Sequence, residues 1–387
     1  MNKEILIIGA GNIGKGVVGM IYARAGYQLH FYDLAYDRLA EMKSQGYYTV
    51  WESGDGESTS TEIRNFDLVQ NDENGLVAAL IHHTVAACSV YEGAFKSIGE
   101  HIAQAIEGRI RQNIYKPLNI LLCVNSLNAP EIFASYIKAA LRGNEQGEYF
   151  RQYIGICQVM VLSAALPTAG ISEDKFQVTV TKDPHLEIDG VAYKGEKPVV
   201  AAVTYVENAE ARIYRKVYVG NMRHCMAAYM GSFKGYQYID ESQRDPEIRF
   251  SIQNAFKEAH SAINRKYQLD PLEDIQWVKY MDEKLDAHVK DDISRVTANS
   301  EKKLGFNERF VGPAKLCMEG GILPYSLAKG IAYGLAYLVE NDEKYKDYLK
   351  NFSLDDLIKT VCGINESDWV LFSLIKEQCK EIAYRKK

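Results

Sequence analysis

The sequence predicts an N-terminal α/β domain built on a parallel sheet and carrying a small β insertion, followed by a mostly α-helical C-terminal domain. Three observations predict it. An apolar run, Ile5-Leu6-Ile7-Ile8, feeds directly into Gly9-Ala10-Gly11-Asn12-Ile13-Gly14, and a second short run, Leu29 to Tyr32, closes on Asp33. From about Ala201 onward the pattern changes to long stretches of helical periodicity. The 387 residues suffice for two domains, each burying its own core.

The opening segment has the order of a dinucleotide-binding, Rossmann-type unit: buried strand, glycine turn, helix, second strand, acidic residue. Gly9 permits the tight turn, Gly11 lets backbone N–H groups approach a pyrophosphate, and Gly14 lets the helix pack against the strand. The helix, read over Val17 to Arg24, turns its partially positive N-terminus toward a diphosphate. Ala10, Asn12 and Ile13 complete the predicted cofactor loop. Asp33 can accept hydrogen bonds from an adenosine ribose and repels a 2′-phosphate, and no Arg directly follows it. The expected cofactor is NAD. The plain alternative, an ordinary glycine turn, leaves the spacing to Asp33 unexplained.

Beyond it, Tyr47 to Trp51 reads as a strand, and the polar segment Glu52 to Glu62 as a hairpin loop leading to Phe66-Asp67-Leu68-Val69, which together make the small insertion. Adjacent His82 and His83 are expected on opposite faces of a strand, which argues against shared metal ligation. Thr84 to Cys88 reads as a strand, Val90 to Ile110 as a helix, and Leu118 to Val124 as a strand ending at Asn125. Ligands bind beyond the carboxyl ends of such strands, so the Asn125 amide is a candidate to reach cofactor or substrate. Phe176 to Thr181 alternates like an edge strand. A boundary near residue 195 divides the chain into a nucleotide domain, 1–195, and a helical substrate domain, 196–387. Helical patterns then run over Tyr205 to Tyr229, Pro246 to Tyr267, Leu272 to Ala287 and Tyr325 to Val339.

Composition narrows the function classes. A formal charge of −6 argues against nucleic acid as a partner, so any basic site is local. Seven scattered cysteines without a CxxC pair suggest reduced thiols rather than a disulfide framework or a zinc site, and no metal is expected. Neither a signal peptide nor an apolar run of membrane-spanning length is present, so the expectation is a cytoplasmic protein with no membrane partner.

The second domain opens with Arg215-Lys216-Val217-Tyr218-Val219-Gly220-Asn221-Met222-Arg223-His224. At about 100° per residue, Asn221 stands roughly 140° and His224 roughly 80° from Lys216, so the three can share one broad helix face. A solvated helix with chance polar residues is the alternative. Arg212, Arg215, Arg223, Lys303 and Arg309 are candidate anion binders, with surface solvation as their default. Asp291 and Arg295, one helical turn apart, read as a surface ion pair.

Taken together, Gly9-Ala10-Gly11-Asn12-Ile13-Gly14-Lys15-Gly16, the Lys216…Asn221…His224 spacing, Lys290-Asp291-Asp292-Ile293-Ser294-Arg295-Val296, Leu118 to Asn125 and Gly321-Ile322-Leu323-Pro324 resemble the polyol-specific long-chain dehydrogenases over nearly the whole chain. The resemblance implies a zinc-independent NAD oxidoreductase, a monomer or alternatively a dimer. It would interconvert a sugar alcohol, such as the polyol phosphate mannitol 1-phosphate, and the corresponding ketose or sugar phosphate. By the same resemblance Lys216 is the general base, Asn125 and Asn221 stabilise the alkoxide, and His224 orients the substrate, with Arg215, Arg223 and Arg309 offered to its anionic group. Two departures bear on the substrate. Leu162-Ser163-Ala164-Ala165-Leu166-Pro167 replaces the family's Val-Asp-Arg-Ile before proline, and Val124 replaces an acidic residue. An unphosphorylated polyol or hexuronate substrate, or a catalytically silent NAD(H)-binding sensor, are the alternatives.

Overall fold

Strand β1, Glu4–Ile8, is apolar throughout Ile5 to Ile8 because both its faces are covered. Ile5 and Ile7 join one buried cluster with Val17, Val18 and Leu29, while Leu6 and Ile8 join another with Leu80, Phe95 and Ile120. These observations come from a computed structural model describing residues 3–54, 57–72, 74–167, 174–286 and 291–385. The chain divides into two units, residues 1–213 and 214–387.

In the first unit, β1 is followed by a π-wound turn, Asn12–Gly19, that continues into α1, Met20–Arg24. The helix therefore starts five residues before the expected Val17. Next come β2 (Gln28–Tyr32), α2 (Tyr36–Gln45), β3 (Tyr48–Gly54), β4 (Glu57–Ile63), β5 (Phe66–Leu68), α3 (Gly75–His82) and β6 (Val85–Cys88). They are followed by α4 (Phe95–Arg111), β7 (Leu118–Leu122), α5 (Ala129–Ala140), α6 (Gly143–Tyr153) and β8 (Ile154–Val161). Strands β9 (Ala165–Pro167), β10 (Val178–Thr181), β11 (Leu186–Asp189) and β12 (Val203–Val206) complete the unit.

Eight strands form the main sheet in the order β12-β11-β8-β7-β6-β1-β2-β5. It is parallel from β8 to β5, while β11 runs antiparallel to β8. The chain builds outward from β1 through β2 and then crosses to β6 on its other side. That reversal opens a crevice at the carboxyl ends of β1 and β6, where the glycine turn lies.

Five further expectations are corrected. The polar segment 52–62 is mostly strand, not loop: β3 and β4 pair antiparallel from Tyr48↔Ile63 to Gly54↔Glu57, because β-branched Thr suits an exposed ladder as well as a loop. Phe66–Leu68 leaves that hairpin and pairs with β2 on the main sheet. Residues 178–181 are not an edge strand, since β10 lies between β3 and β9 in a second sheet of order β4-β3-β10-β9. Val178 and Val180 are buried there against the π-wound turn: a methyl group on Gly16 would come within 2.6 Å of Val178. His82 ends α3 rather than lying in a strand, and Tyr205 belongs to β12 rather than to a helix.

Helix α7 (Ala209–Arg215) begins in the first unit, where the Asn208 side-chain oxygen caps it by accepting from the Ala211 N–H at 3.2 Å, and leads into the second unit, which is helical. A second π-wound turn, Lys216–Asn221, runs into α8, Met222–Phe233. It is followed by α9 (Ile239–Arg244), α10 (Pro246–Tyr267), α11 (Pro271–Asp286), α12 (Ile293–Thr297), α13 (Ser300–Lys303), α14 (Val311–Glu319) and α15 (Tyr325–Asn341). The start of α10 shows why its expected bounds were right: Pro246 occupies the first turn, and the Asp245 carboxylate accepts from the Glu247 and Ile248 N–H groups. Among the described residues no helix is long and apolar enough to cross a membrane, and all seven cysteines are free thiols.

A Cβ on Gly14 would collide with the Gly9 carbonyl oxygen, a backbone atom that cannot step aside. Gly14→Ala is therefore expected to destabilise the first unit by about 1–3 kcal/mol, read as a fall in thermal midpoint; an unchanged midpoint would show that the helix can retreat from β1.

Candidate active site

The glycine turn is shaped by backbone contacts. Gly9 adopts φ +92, a left-handed conformation suited to glycine, and a Cβ there would come within 2.6 Å of the Ser89 carbonyl oxygen. Gly11 faces open space, and no side chain caps the π-wound turn that begins at Asn12. Asp33 anchors the turn: its carboxylate accepts from the Ala10 N–H at 2.8 Å and from the Ala35 N–H at 2.9 Å. Ala10, Asn12, Ile13 and the three glycines thus sit together at the carboxyl end of β1, with Asp33 beside them. Directly after β6, the buried Ser89 hydroxyl has no hydrogen-bond partner among the described residues. An open glycine, an uncapped helix N-terminus and an orphaned hydroxyl fit a dinucleotide diphosphate and ribose.

Sequence reasoning gave no role to Lys15, the one charged residue of the turn. It is 7% exposed, its ammonium donating to the Phe176 carbonyl at 3.1 Å and lying 5.8 Å from the Tyr48 ring centre. Burial, reinforced by Arg38, pulls its pKa down to about 8 against the opposing pull of Asp174 and Asp33. An anion at the turn would find a ready countercharge.

Asn125 is exposed and lies three residues beyond the carboxyl end of β7. The neighbouring backbone is held from below: buried Gln158, on β8, donates through its amide nitrogen to the Val124 carbonyl at 3.2 Å.

In the second unit, Lys216 and Asn221 open and close the π-wound turn. Its i→i+5 winding turns less per residue than an α-helix, so the angle between Asn221 and Lys216 is smaller than the roughly 140° of α-helical winding. His224 follows one turn on. Its Nε2 lies 2.9 Å from the Asp291 carboxylate, which also accepts from Arg295 Nε at 2.6 Å. Asp291 is only 7% exposed while Arg295 is exposed, so the pair joins a buried carboxylate to a surface guanidinium, and the Asp291–His224 link had no signal in local spacing. Burial resists ionisation of Asp291, but the hydrogen bonds from His224 and Arg295 outweigh it and hold its pKa at about 2. Lys290 of the same motif lies outside the described residues.

None of the five candidate anion binders is a solvated surface residue. Arg215, 1% exposed, pairs with Glu273 and Asp274 and lies over the Trp277 ring at 4.5 Å, so its charge is matched internally. Arg223 pairs with Asp282 and stacks on Phe256, but its Nε and Nη1 are buried without partners among the described residues. Arg212 pairs with Glu187. Arg309 reaches Glu308 and lies 3.6 Å from the Cys225 thiol, and Lys303 donates to the Val296 and Ala298 carbonyls. Burial lowers the Lys303 pKa, and Arg309 and Arg295 lower it further. Three cations therefore gather around Cys225, beside His224.

The same order of elements is found in known proteins. Residues 3–201 match the mannitol dehydrogenase Rossmann domain, and residues 208–367 match the mannitol dehydrogenase C-terminal domain. The chain belongs to the mannitol dehydrogenase family. Among this family's curated members, mannitol-1-phosphate 5-dehydrogenase of Thermoanaerobacter pseudethanolicus is 31% identical over 377 residues, covering 95% of each chain. Among solved structures, Pseudomonas fluorescens mannitol 2-dehydrogenase in a ternary complex with NAD and D-mannitol aligns with a TM-score of 0.76 at 15% identity, covering 99% of this chain and 92% of that one. A substrate-free D-sorbitol dehydrogenase aligns with a TM-score of 0.75 at 14% identity, covering 98% and 93%. At such identities the structural matches establish the shared family fold.

Because its folded-state pKa is depressed, Asp291 contributes stability that is fully present above about pH 4 and is lost as pH falls through about 2. Asp291→Asn is expected to remove about 2 kcal/mol at neutral pH and to flatten this acid limb, read in urea unfolding at pH 7, 4 and 2.5. A variant that retains the wild-type acid slope would show that the His224–Asp291–Arg295 contacts carry no such linkage.

Proposed function

We propose that this oxidoreductase uses NAD to interconvert a polyol phosphate, such as mannitol 1-phosphate, and the corresponding ketose phosphate. Family membership and the glycine turn with Asp33 support the cofactor. The winding of Lys216–Asn221, with His224 held by Asp291, supports the chemistry. π-wound turns cost helical regularity and concentrate at functional positions.

In this reading Lys216 Nζ takes the hydroxyl proton of the secondary alcohol, and returns it to the alkoxide oxygen in the reverse direction. When bound, NAD supplies the hydride acceptor. The side-chain amides of Asn221 and Asn125 donate hydrogen bonds to the oxygen on which negative charge develops, a contribution of about 3–4 kcal/mol for a well-placed donor. His224, its ring orientation fixed by Asp291, bonds a neighbouring hydroxyl. Arg295, Lys303 and Arg309 form the basic cluster that favours a phosphorylated substrate over a free polyol or hexuronate, with Arg223 as a further donor. Arg215, committed to Glu273 and Asp274, serves packing. The named relative with 31% identity acts, by its name, on a polyol phosphate, in agreement with this choice.

The test is NADH oxidation with fructose 6-phosphate, fructose, fructuronate and other sugar phosphates, using wild type and Lys216→Ala. Fructose 6-phosphate reduction that falls about 10²–10⁴-fold in kcat in the variant is the expected result. Preference for an unphosphorylated sugar would move the substrate while keeping the base. NADH binding without turnover of any sugar would leave a sensor.

A further inference from the structure

We propose that Glu4, His30 and His83 form a binding site for one divalent transition-metal ion of the zinc class, remote from the dinucleotide crevice. The three residues come from different segments: Glu4 opens β1, His30 lies in β2, and His83 follows α3 just before β6. Their ligand atoms, one carboxylate oxygen and two ring nitrogens, all lie within 4.8 Å of one another. Two imidazoles and a carboxylate are a donor set that suits zinc and its neighbours.

The hydrogen bonds of His83 decide which nitrogen is available. Its Nδ1 is 2.7 Å from the Ala79 carbonyl oxygen, which can only accept, so Nδ1 carries the ring proton. The lone pair is therefore on Nε2, and Nε2 points at His30 Nδ1, 2.6 Å away. A ring N–H donated to a backbone carbonyl is the arrangement that orients metal-binding histidines. In the metal-free protein the two rings share the Nδ1 proton of His30. An ion takes that proton's place once His30 shifts it to Nε2, and no net proton is released. Tetrahedral bonds of ~2.0–2.1 Å hold two nitrogens about 3.3 Å apart, so the rings separate by less than an ångström.

Glu4 and His30 are partly exposed, which leaves room for water as a fourth ligand and a path of entry. The glycine turn lies at the carboxyl end of β1, whereas Glu4 is that strand's first residue. The ion would tie β1, β2 and the α3–β6 turn together and would leave the hydride chemistry untouched. No short-range spacing such as CxxC or HExxH announces the set, because the pairing of β1 with β2 and the end of α3 assemble it.

The experiment is titration of the chelator-treated full chain with Co²⁺ and Zn²⁺, beside His30→Gln and Glu4→Gln. Both positions are partly exposed, and circular dichroism checks that the variants fold. Expected are one equivalent of Co²⁺ with nitrogen- and oxygen-type visible bands, affinity at least about tenfold weaker in each variant, and a zinc-induced rise in thermal midpoint seen only in wild type. Binding no tighter than in the variants, or a thiolate charge-transfer band that survives His30→Gln, overturns the proposal. Neither outcome depends on which sugar is the substrate.

Discussion

The close approach of Gly14 to the Gly9 carbonyl governs the first unit. With no side chain between them, the helix that follows the turn lies directly against β1. The opposite face of that helix is bare as well. Gly16 meets Val178 of β10, and Gly19 meets the Tyr48 hydroxyl of β3, so the smaller sheet presses on the helix from its other side. Lys15 is the residue caught in this packing. Its ammonium is buried there, and loss of water, with Arg38 nearby, loosens its proton even though the Phe176 carbonyl and two aromatic rings favour the charged form. Layer packing and local electrostatics at the turn are thus one problem with one solution.

Irregular winding recurs where chemistry is expected. Asn12–Gly19 and Lys216–Asn221 are both π-wound, and each passes into a regular helix. Such a turn spreads its residues over a wider circle, so it redirects every side chain within it relative to the helix beyond. In the second unit the regular portion then fixes His224 against Asp291, while Asp291 is held by a backbone bond from Ile239 N–H to its carbonyl. The irregular part aims, and the regular part holds.

The sequence made the strand–turn–helix–Asp33 unit legible because glycine has few other uses in that order. It also made α10 legible, through Asp245 and Pro246. It hid whatever depended on distant partners. The exposed hairpin β3–β4 carries serine and threonine in a pattern shared with loops, and only its partner strand distinguishes them. β10 looked like an edge because nothing local indicates that β3 and β9 flank it. Asp291 and Arg295 had the spacing of any surface pair; the burial of Asp291 accompanies the short bridge between Tyr238 and Asp292, which no periodicity encodes. The relation of Asn221 to Lys216 was obscured for another reason, since angular arithmetic assumes regular winding.

Asp33 shows how closely recognition and architecture are joined in this chain. Its two carboxylate oxygens are each engaged by a backbone N–H, one from the glycine turn and one from the approach to α2. The group that would discriminate between a ribose hydroxyl and a phosphate is therefore also a strut that sets the shape of the loop around the diphosphate. A neutral or basic side chain at this position would alter electrostatic preference and loop geometry in the same step. Exchanging one nicotinamide cofactor for the other thus demands a redesigned turn, with new acceptors for the Ala10 and Ala35 amides, rather than a single change of charge.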